Sequence, residues 1–446
     1  MGNAGDSVPP GADDEAGTIN QRGWTRFALD IVSGLTARKE VIALCDQMVA
    51  SATNFMTGVI IGRACIKEEF GLYMLGMSIV VFSTTLQTSL ISSPYMVFSP
   101  RRAGRAHAQY TGSTLIHQLG LSLVAVVLLV AGEVMLAFGF GPQGLAPVVR
   151  SLAFVIAFIL FREYARRICF ANLQFATAIV LDLCVAVIQI SALILLANFG
   201  ILSAQMAYLI VGISSFLGSL GWLVYSRKDF IFGIREAISD FWGNWSFGKW
   251  VFGSGLLSAV CMNLYPWILT FFHGTGSTGV WAACFGVVAL GNPVVLGVQN
   301  FLGPRIAHVY AKSGYSVLRK FVYRESVFFV IIIAPLCLVL IFFGGPLVAL
   351  FYGEKYSGNG LVVTVLAANL LISAVSFSFS RALFVMNRAN VDFAVNLIIL
   401  VVLLTLGVWL VASYGPLGVA FGLLAGSIVS SGIKWGLFRG YCRETN

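Results

Sequence analysis

Apolar runs of about twenty residues alternate along this chain with short polar gaps. A hydrocarbon core about 30 Å thick is crossed by roughly 20 residues of helix. The runs therefore predict membrane-spanning helices at approximately 41–62, 71–94, 114–138, 148–169, 175–197, 202–225, 251–272, 280–303, 325–344, 360–384, 391–412 and 417–438. One longer polar interruption, Ser226 to Trp250, divides the twelve into six and six. Within it Phe230, Ile234, Ile238, Phe241, Trp242 and Trp245 recur at steps of three and four, with Arg235, Glu236 and Asp240 off that stripe. This pattern predicts an amphipathic helix lying at a membrane surface, and Arg227, Lys228 and Lys249 at its ends can snorkel towards anionic head groups.

The expected organisation is a cytoplasmic tail with a short amphipathic helix at 1–39, a six-helix bundle at 40–226, an interfacial linker helix at 227–250 and a second six-helix bundle at 251–446. Residues 1–17 are acidic and rich in Gly and Pro, a composition that predicts disorder, and they lack the basic start and apolar core of a signal peptide. Trp24, Phe27, Ala28, Ile31 and Leu35 then recur at helical spacing beside Arg22, Arg26, Arg38 and Lys39.

Composition agrees with the spans: 58% of residues are hydrophobic and 11% charged, a balance that would leave a soluble domain with large exposed apolar patches. The net charge of +9 does not point to nucleic acid, because the basic residues fall in short clusters between spans. With the N-terminus inside, 24 of the 28 Lys and Arg face the cytoplasm and Arg63, Lys67, Arg150 and Lys355 face out, which predicts both termini in the cytoplasm. The 8 cysteines show neither CxxC nor zinc-finger spacing, so no metal or disulfide framework is expected. Gly139 to Gly144 fits GxGxxG, but no strand precedes it, and Walker A and HExxH motifs are absent. No cofactor is expected. The outer loops are short, the longest running from about Gly344 to Gly360, which leaves no external domain to hold the acceptor of a membrane glycosyltransferase or polymerase.

The halves read as copies of one another. Arg167, Phe170, Asp182 and Leu183 sit 214 positions before Arg381, Phe384, Asn396 and Leu397, and Asn198 to Leu202 sits 215 before Ser413 to Leu417. Earlier in each half, Phe70-Gly-Leu-Tyr73 falls 208 before Thr278-Gly-Val-Trp281, and Pro94 falls 210 before Pro304. Six spans per copy give both the same orientation, a parallel repeat that predicts a substrate site near the midplane between halves.

Three stretches resemble the polysaccharide-biosynthesis (oligosaccharide, O-antigen) flippases: Lys67-Glu-Glu-Phe-Gly-Leu-Tyr73, Gly303-Pro-Arg-Ile-Ala-His308 with its continuation to Gly314, and Ala382 to Arg388 followed by Tyr414-Gly-Pro-Leu-Gly-Val-Ala420. The resemblance runs over roughly residues 40 to 440. It implies an all-α polytopic membrane protein with the MATE-like fold of the multidrug/oligosaccharidyl-lipid/polysaccharide exporter superfamily, two pseudo-symmetric six-helix bundles around a central cavity. It also implies a substrate: a polyprenyl-pyrophosphate-linked oligosaccharide, flipped from the inner to the outer leaflet for O-antigen, capsule or exopolysaccharide synthesis, beside glycosyltransferase or polymerase partners. Such a cargo cannot cross hydrocarbon unaided, because every unsatisfied polar group costs about several kcal/mol there, so a polar, preferably cationic cavity and alternating access are expected.

Ionisable groups inside spans are costly and mark pathways. Asp46, Gln47, Asp182, Gln189 and Arg162 lead the candidates, with Asp46 suited to a coupling proton or Na+ and Arg162 and Arg381 suited to pyrophosphate. Asn54, Gln87, Asn263, Asn292, Gln299, Asn300 and Asn369 supply amides for sugar hydroxyls, each balanced against an ordinary interhelical bond. His117 is weighed as a proton relay against a satisfied structural histidine, and Gly418, Gly422 and Gly426 as a packing face. The alternatives are a cation-coupled multidrug exporter on the same fold, a major-facilitator carrier and a membrane glycosyltransferase.

Overall fold

The computed structural model describes residues 35–386, 388 and 390–444; the predicted disordered segment and most of the tail's amphipathic helix lie outside them. The described residues are helical apart from short connections. The first half contains α1 (Leu35–Ala64), α2 (Lys67–Arg101), α3 (Gly104–Ala137), α4 (Leu145–Ala171), α5 (Phe175–Asn198) and α6 (Ala204–Ser226). The second contains α7 (Ile234–Ala289), α8 (Asn292–Tyr352), α9 (Gly360–Val385), α10 (Val391–Tyr414) and α11 (Pro416–Glu444). Among the described residues, 10 helical stretches are long and apolar enough to cross a membrane; α1 and the stretch around the break at Leu290 and Gly291 fall outside that count.

The six-plus-six pattern survives as folded hairpins. Within α7, Gly274 adopts φ 76° and ψ 171°, a conformation that favours glycine, and the chain doubles back there: Thr270 and Thr278 hydroxyls meet at 2.7 Å. Within α8, Arg305 lies in electrostatic reach of Glu325, which a straight helix would put about 30 Å away, so the chain reverses between them. The ninth span runs on to Tyr352, eight residues beyond the expected end, and shortens the expected outer loop to a 3-10 turn at Glu354–Tyr356 and its flanks. In α2 a π-helical turn at Thr88–Ser92 precedes Pro94; proline cannot donate to the carbonyl four residues back, and the turn widens.

The stretch between the halves is not a separate helix from the seventh span. A helix starts at Ile234 and continues unbroken towards Gly274, and glycines on its way allow close approach, since a Cβ at Gly248 would come within 2.8 Å of the Ser89 carbonyl oxygen. Its polar side faces the first half: Arg102 pairs with Asp240 at 2.9 Å, Tyr110 donates to Asn244 at 2.8 Å, and His117 Nε2 meets the Ala237 carbonyl at 2.8 Å. Ile234, Ile238 and Trp242 are exposed, while Phe230 leaves the stripe to pack edge-on against buried Trp222. In α11, Gly418 and Gly422 are packing positions, closely approached by the Leu410 carbonyl and the Tyr265 hydroxyl.

Candidate functional site

Four charges on three helices, two buried acids and two half-buried arginines, form the electrostatic centre of the first half. Asp46 on α1 and Asp182 on α5 are 0% and 1% exposed. From α4, Arg162 donates to Asp182 at 2.6 Å and Arg166 donates to Asp46 at 2.6 Å, with Gln47 as a further acceptor at 3.5 Å. Arg166 Nε also lies 2.8 Å from an Asp182 oxygen, as an ion pair rather than an aligned hydrogen bond. Two buried carboxylates would repel strongly if alone; Arg166 between them supplies the compensating charge. One turn on, Arg167 pairs with Glu163 at 2.7 Å. Three guanidinium groups thus balance three carboxylates. Arg166 was not among the expected residues, because an arginine near a helix end ordinarily snorkels; the usable signal was its four-residue spacing from Arg162, which puts both on one face of α4.

A cavity of about 580 Å³ opens beside this network, lined by Asn54, Thr84, Thr85, Arg162, Glu163, Arg167, Gln189 and Tyr208 among others. Gln189 also donates to Thr57 at 2.7 Å, tying α5 to α1. A second cavity of about 420 Å³ lies between the halves and contains Asn54, Asn263 and Asn292, with Trp281, Phe285 and Tyr352, and no charged residue. A third, of about 270 Å³, lies within the second half, lined by serines, Gln299, Asn396 and Lys434.

The lobe cavities are lined by equivalent positions of the two copies. Asn54 and Met262, Ser89 and Gln299, Arg162 and Ser376, Glu163 and Phe377, Tyr208 and Leu423, and Val211 and Gly426 each line their own cavity, at the repeat offsets of 208, 210, 214 and 215 read from the sequence. By the same offset of 214, Arg166 answers to Ser380 and Asp182 to Asn396. The second copy has uncharged residues wherever the first has this part of its ionic network.

Asp46, Gln47 and Asp182 sit in the ionic network rather than in a cavity lining, and three further expected residues line none of these cavities either. Gln87 is fully buried and donates to the Leu160 carbonyl at 2.7 Å. Asn369 accepts from Ser427 at 2.7 Å. Arg381 is exposed and sits over the Phe377 ring at 4.9 Å, where a helix-end cation can stack and stay solvated. The Asn300 side chain lies outside those described.

The cavities are roofed at the end that the charge distribution assigns to the outside. Arg63, at the end of α1, donates to the Phe351 carbonyl at 2.8 Å and to that of Leu350, and Lys355 donates to the carbonyls of Arg63 and Cys65. Each cation caps the C-terminal carbonyls of a helix from the opposite half, where the helix dipole favours positive charge. Helices also meet backbone to backbone: a Cβ at Gly71 would lie 1.9 Å from the Thr275 carbonyl oxygen and one at Gly279 2.2 Å from that of Lys67. Three of the four cations assigned to the outer side, Arg63, Lys67 and Lys355, thus lie around this seal.

Comparison with known proteins gives a consistent set of likenesses. The family model described as polysaccharide biosynthesis protein matches residues 101–360. The lipopolysaccharide biosynthesis protein WzxC of Escherichia coli K12 is 21% identical over 385 residues, 85% of this chain and 72% of that protein. The capsular polysaccharide biosynthesis protein CapF of Staphylococcus aureus is 22% identical over 164 residues, and the match takes in 36% of this chain and 41% of CapF. Among solved structures, an inward-facing multidrug resistance MATE family transporter of the MOP superfamily superposes with TM-score 0.74 at 17% identity, covering 91% of this chain and 98% of that one. The lipid II flippase MurJ, in an inward closed conformation, superposes with TM-score 0.73 at 15% identity, covering 88% and 86%.

Proposed function

The chain belongs to the polysaccharide biosynthesis protein family, and from that premise we propose that it flips a polyprenyl-pyrophosphate-linked oligosaccharide across the cytoplasmic membrane. Its family and fold are those of a multi-pass transporter, not an enzyme. The observation that carries the reading is the arginine-bearing cavity of about 580 Å³ in the first half. Pyrophosphate oxygens accept hydrogen bonds only, and guanidinium groups donate only. Arg162 and Arg167, both partly exposed at the cavity wall, are the donors. At rest each is held by its own carboxylate, so no uncompensated charge is buried; the cargo exchanges places with Glu163 on Arg167. Because the bonds gained replace bonds lost, binding is moderate and release on the far side remains possible.

Alternating access follows from the two halves. In the described state the outer end is latched by Arg63 and Lys355, so the next step requires the latch to part while the cytoplasmic side closes. The polyprenyl tail stays in lipid throughout. The cation-coupled exporter reading is disfavoured by Arg166, whose guanidinium already bridges the two acids that a coupling ion would use.

Deleting the gene tests the proposal: surface polysaccharide should disappear and lipid-linked repeat units should accumulate on the cytoplasmic leaflet. Intact surface polysaccharide without accumulation would refute it. Arg167→Ala in the otherwise intact chain should lower the flipping rate about 10- to 100-fold, from a charge-assisted bond of roughly 1.5–3 kcal/mol, with little change in thermal stability because Arg167 is part-exposed. Reconstituted flipping of a fluorescent polyprenyl-pyrophosphate lipid reads the rate.

A further inference from the structure

We propose that the cavity within the second half is the subsite for the uncharged glycan, separate from the arginine-bearing cavity that takes the pyrophosphate; this assignment rests on the flippase reading above. The argument begins with the divergence of the two copies. Arg162, Arg166 and Asp182 answer to Ser376, Ser380 and Asn396, of which all three line the cavity within the second half. A duplication that keeps lining positions and replaces three charged residues, Arg162 in the cavity wall and Arg166 and Asp182 in the network beside it, with uncharged ones retains a polar cavity and changes its ligand class.

Hydrogen-bond chemistry identifies that class. A sugar hydroxyl is both donor and acceptor, and so are serine hydroxyls and the side-chain amides of Asn and Gln. An acceptor-only anion would leave the acceptor atoms of such a lining unmatched, and a cation would leave its donors so. The one lysine there, Lys434, is neutralised by Asp392 at 2.8 Å, and Ser380 donates to the same carboxylate at 2.8 Å. Much of the serine lining is engaged in joining α9 to α11: Ser376 meets Ser430 at 3.4 Å and Ser373 meets Ser427 at 3.1 Å. Those bonds hold the wall together and leave acceptor capacity on each hydroxyl. The amide side chains of Gln299 and Asn396, by contrast, have no hydrogen-bond partner among the described residues, although both line the cavity. Free amides on α8 and α10, facing a hydroxyl-rich wall on α9 and α11, present two-way hydrogen bonding to a neutral ligand.

The test compares two lipids on the full-length protein in nanodiscs: a polyprenyl pyrophosphate without sugar, and the same lipid carrying one N-acetylhexosamine. Wild type should bind the glycosylated lipid at least ten-fold more tightly, a difference of about 1.4 kcal/mol. Asn396→Ala with Gln299→Ala should erase that preference and leave affinity for the bare lipid unchanged, whereas Arg167→Ala should weaken both lipids alike. Gly426→Ala is the second variant. Its new Cβ meets only Ile399 at 3.5 Å, an ordinary contact, so it folds and intrudes on the cavity wall; it too should lower only the sugar-dependent part. The assignment is overturned if wild type shows no preference, if the preference survives these substitutions, or if they weaken both lipids equally. Failure of wild type to bind either lipid would instead overturn the flippase reading.

Discussion

Arg166→Ala is expected to destabilise the protein by about 3–5 kcal/mol, the cost of removing one partner from a buried ionic cluster. Among the described residues Asp46 has no other cationic partner, and Asp182 keeps only Arg162. Both carboxylates are buried, so neither recovers its hydration. Thermal unfolding of the purified protein in detergent should show the loss, and Asp46→Asn added to Arg166→Ala should recover much of it by removing the stranded charge. Arg166→Lys should rescue poorly, since one ammonium cannot reproduce a planar fork that reaches two acids at once. A melting temperature unchanged in Arg166→Ala would show that the bridge contributes nothing.

The outer seal carries the second large effect. Gly71→Ala with Gly279→Ala should force α2 and the second arm of α7 apart, because each new methyl would meet a backbone carbonyl that cannot swing aside. Helices at such contacts approach closely only when small residues line them. Adding Arg63→Ala and Lys355→Ala removes both caps, worth together about 1–2 kcal/mol at this partly exposed site, a factor of roughly 5–30 in the balance between closed and open states. Cys65 reports the change directly. It is 5% exposed, donates to the Leu202 carbonyl at 3.4 Å, and burial pushes its thiol up to about 11, so it should react slowly with a membrane-impermeant maleimide in wild type. In a variant keeping Cys65 alone, the glycine and latch substitutions should accelerate labelling from outside and lower flipping. Labelling at the wild-type rate would mean that these contacts do not hold the closed state.

Span positions were legible because about twenty apolar residues in a row have one economical solution in a bilayer. The duplication was legible too: its offsets, read from a few scattered matches, carry Ser89 onto Gln299 and Arg162 onto Ser376 in equivalent cavities. Hydropathy marked the gap at 273–279 in which the chain reverses, but not that a single residue with positive φ, Gly274, replaces a loop there, nor the extension of the ninth span to Tyr352, whose ring packs on Phe55 and Phe70. The candidate site was legible in composition but not in wiring. Asp46 and Asp182 could be singled out as intramembrane acids, but their common partner Arg166 was hidden among helix-end cations, because the rotational phase of an apolar helix is set by neighbours that the sequence of that helix does not name. Arg381 shows the converse error: it is the repeat equivalent of Arg167, but it stacks on Phe377 where Arg167 pairs with Glu163.

The balance of three arginines against three acids in the first half has an energetic consequence for the transport cycle. An empty carrier whose interior carries no net charge moves none when it resets, so its return is indifferent to the voltage across the membrane. The pyrophosphate cargo proposed above would carry negative charge outward, down a potential that is negative inside and delivers about 2.3 kcal/mol per elementary charge for each 100 mV. Voltage would then act on the loaded stroke alone and give export its direction, with no ion passing the other way.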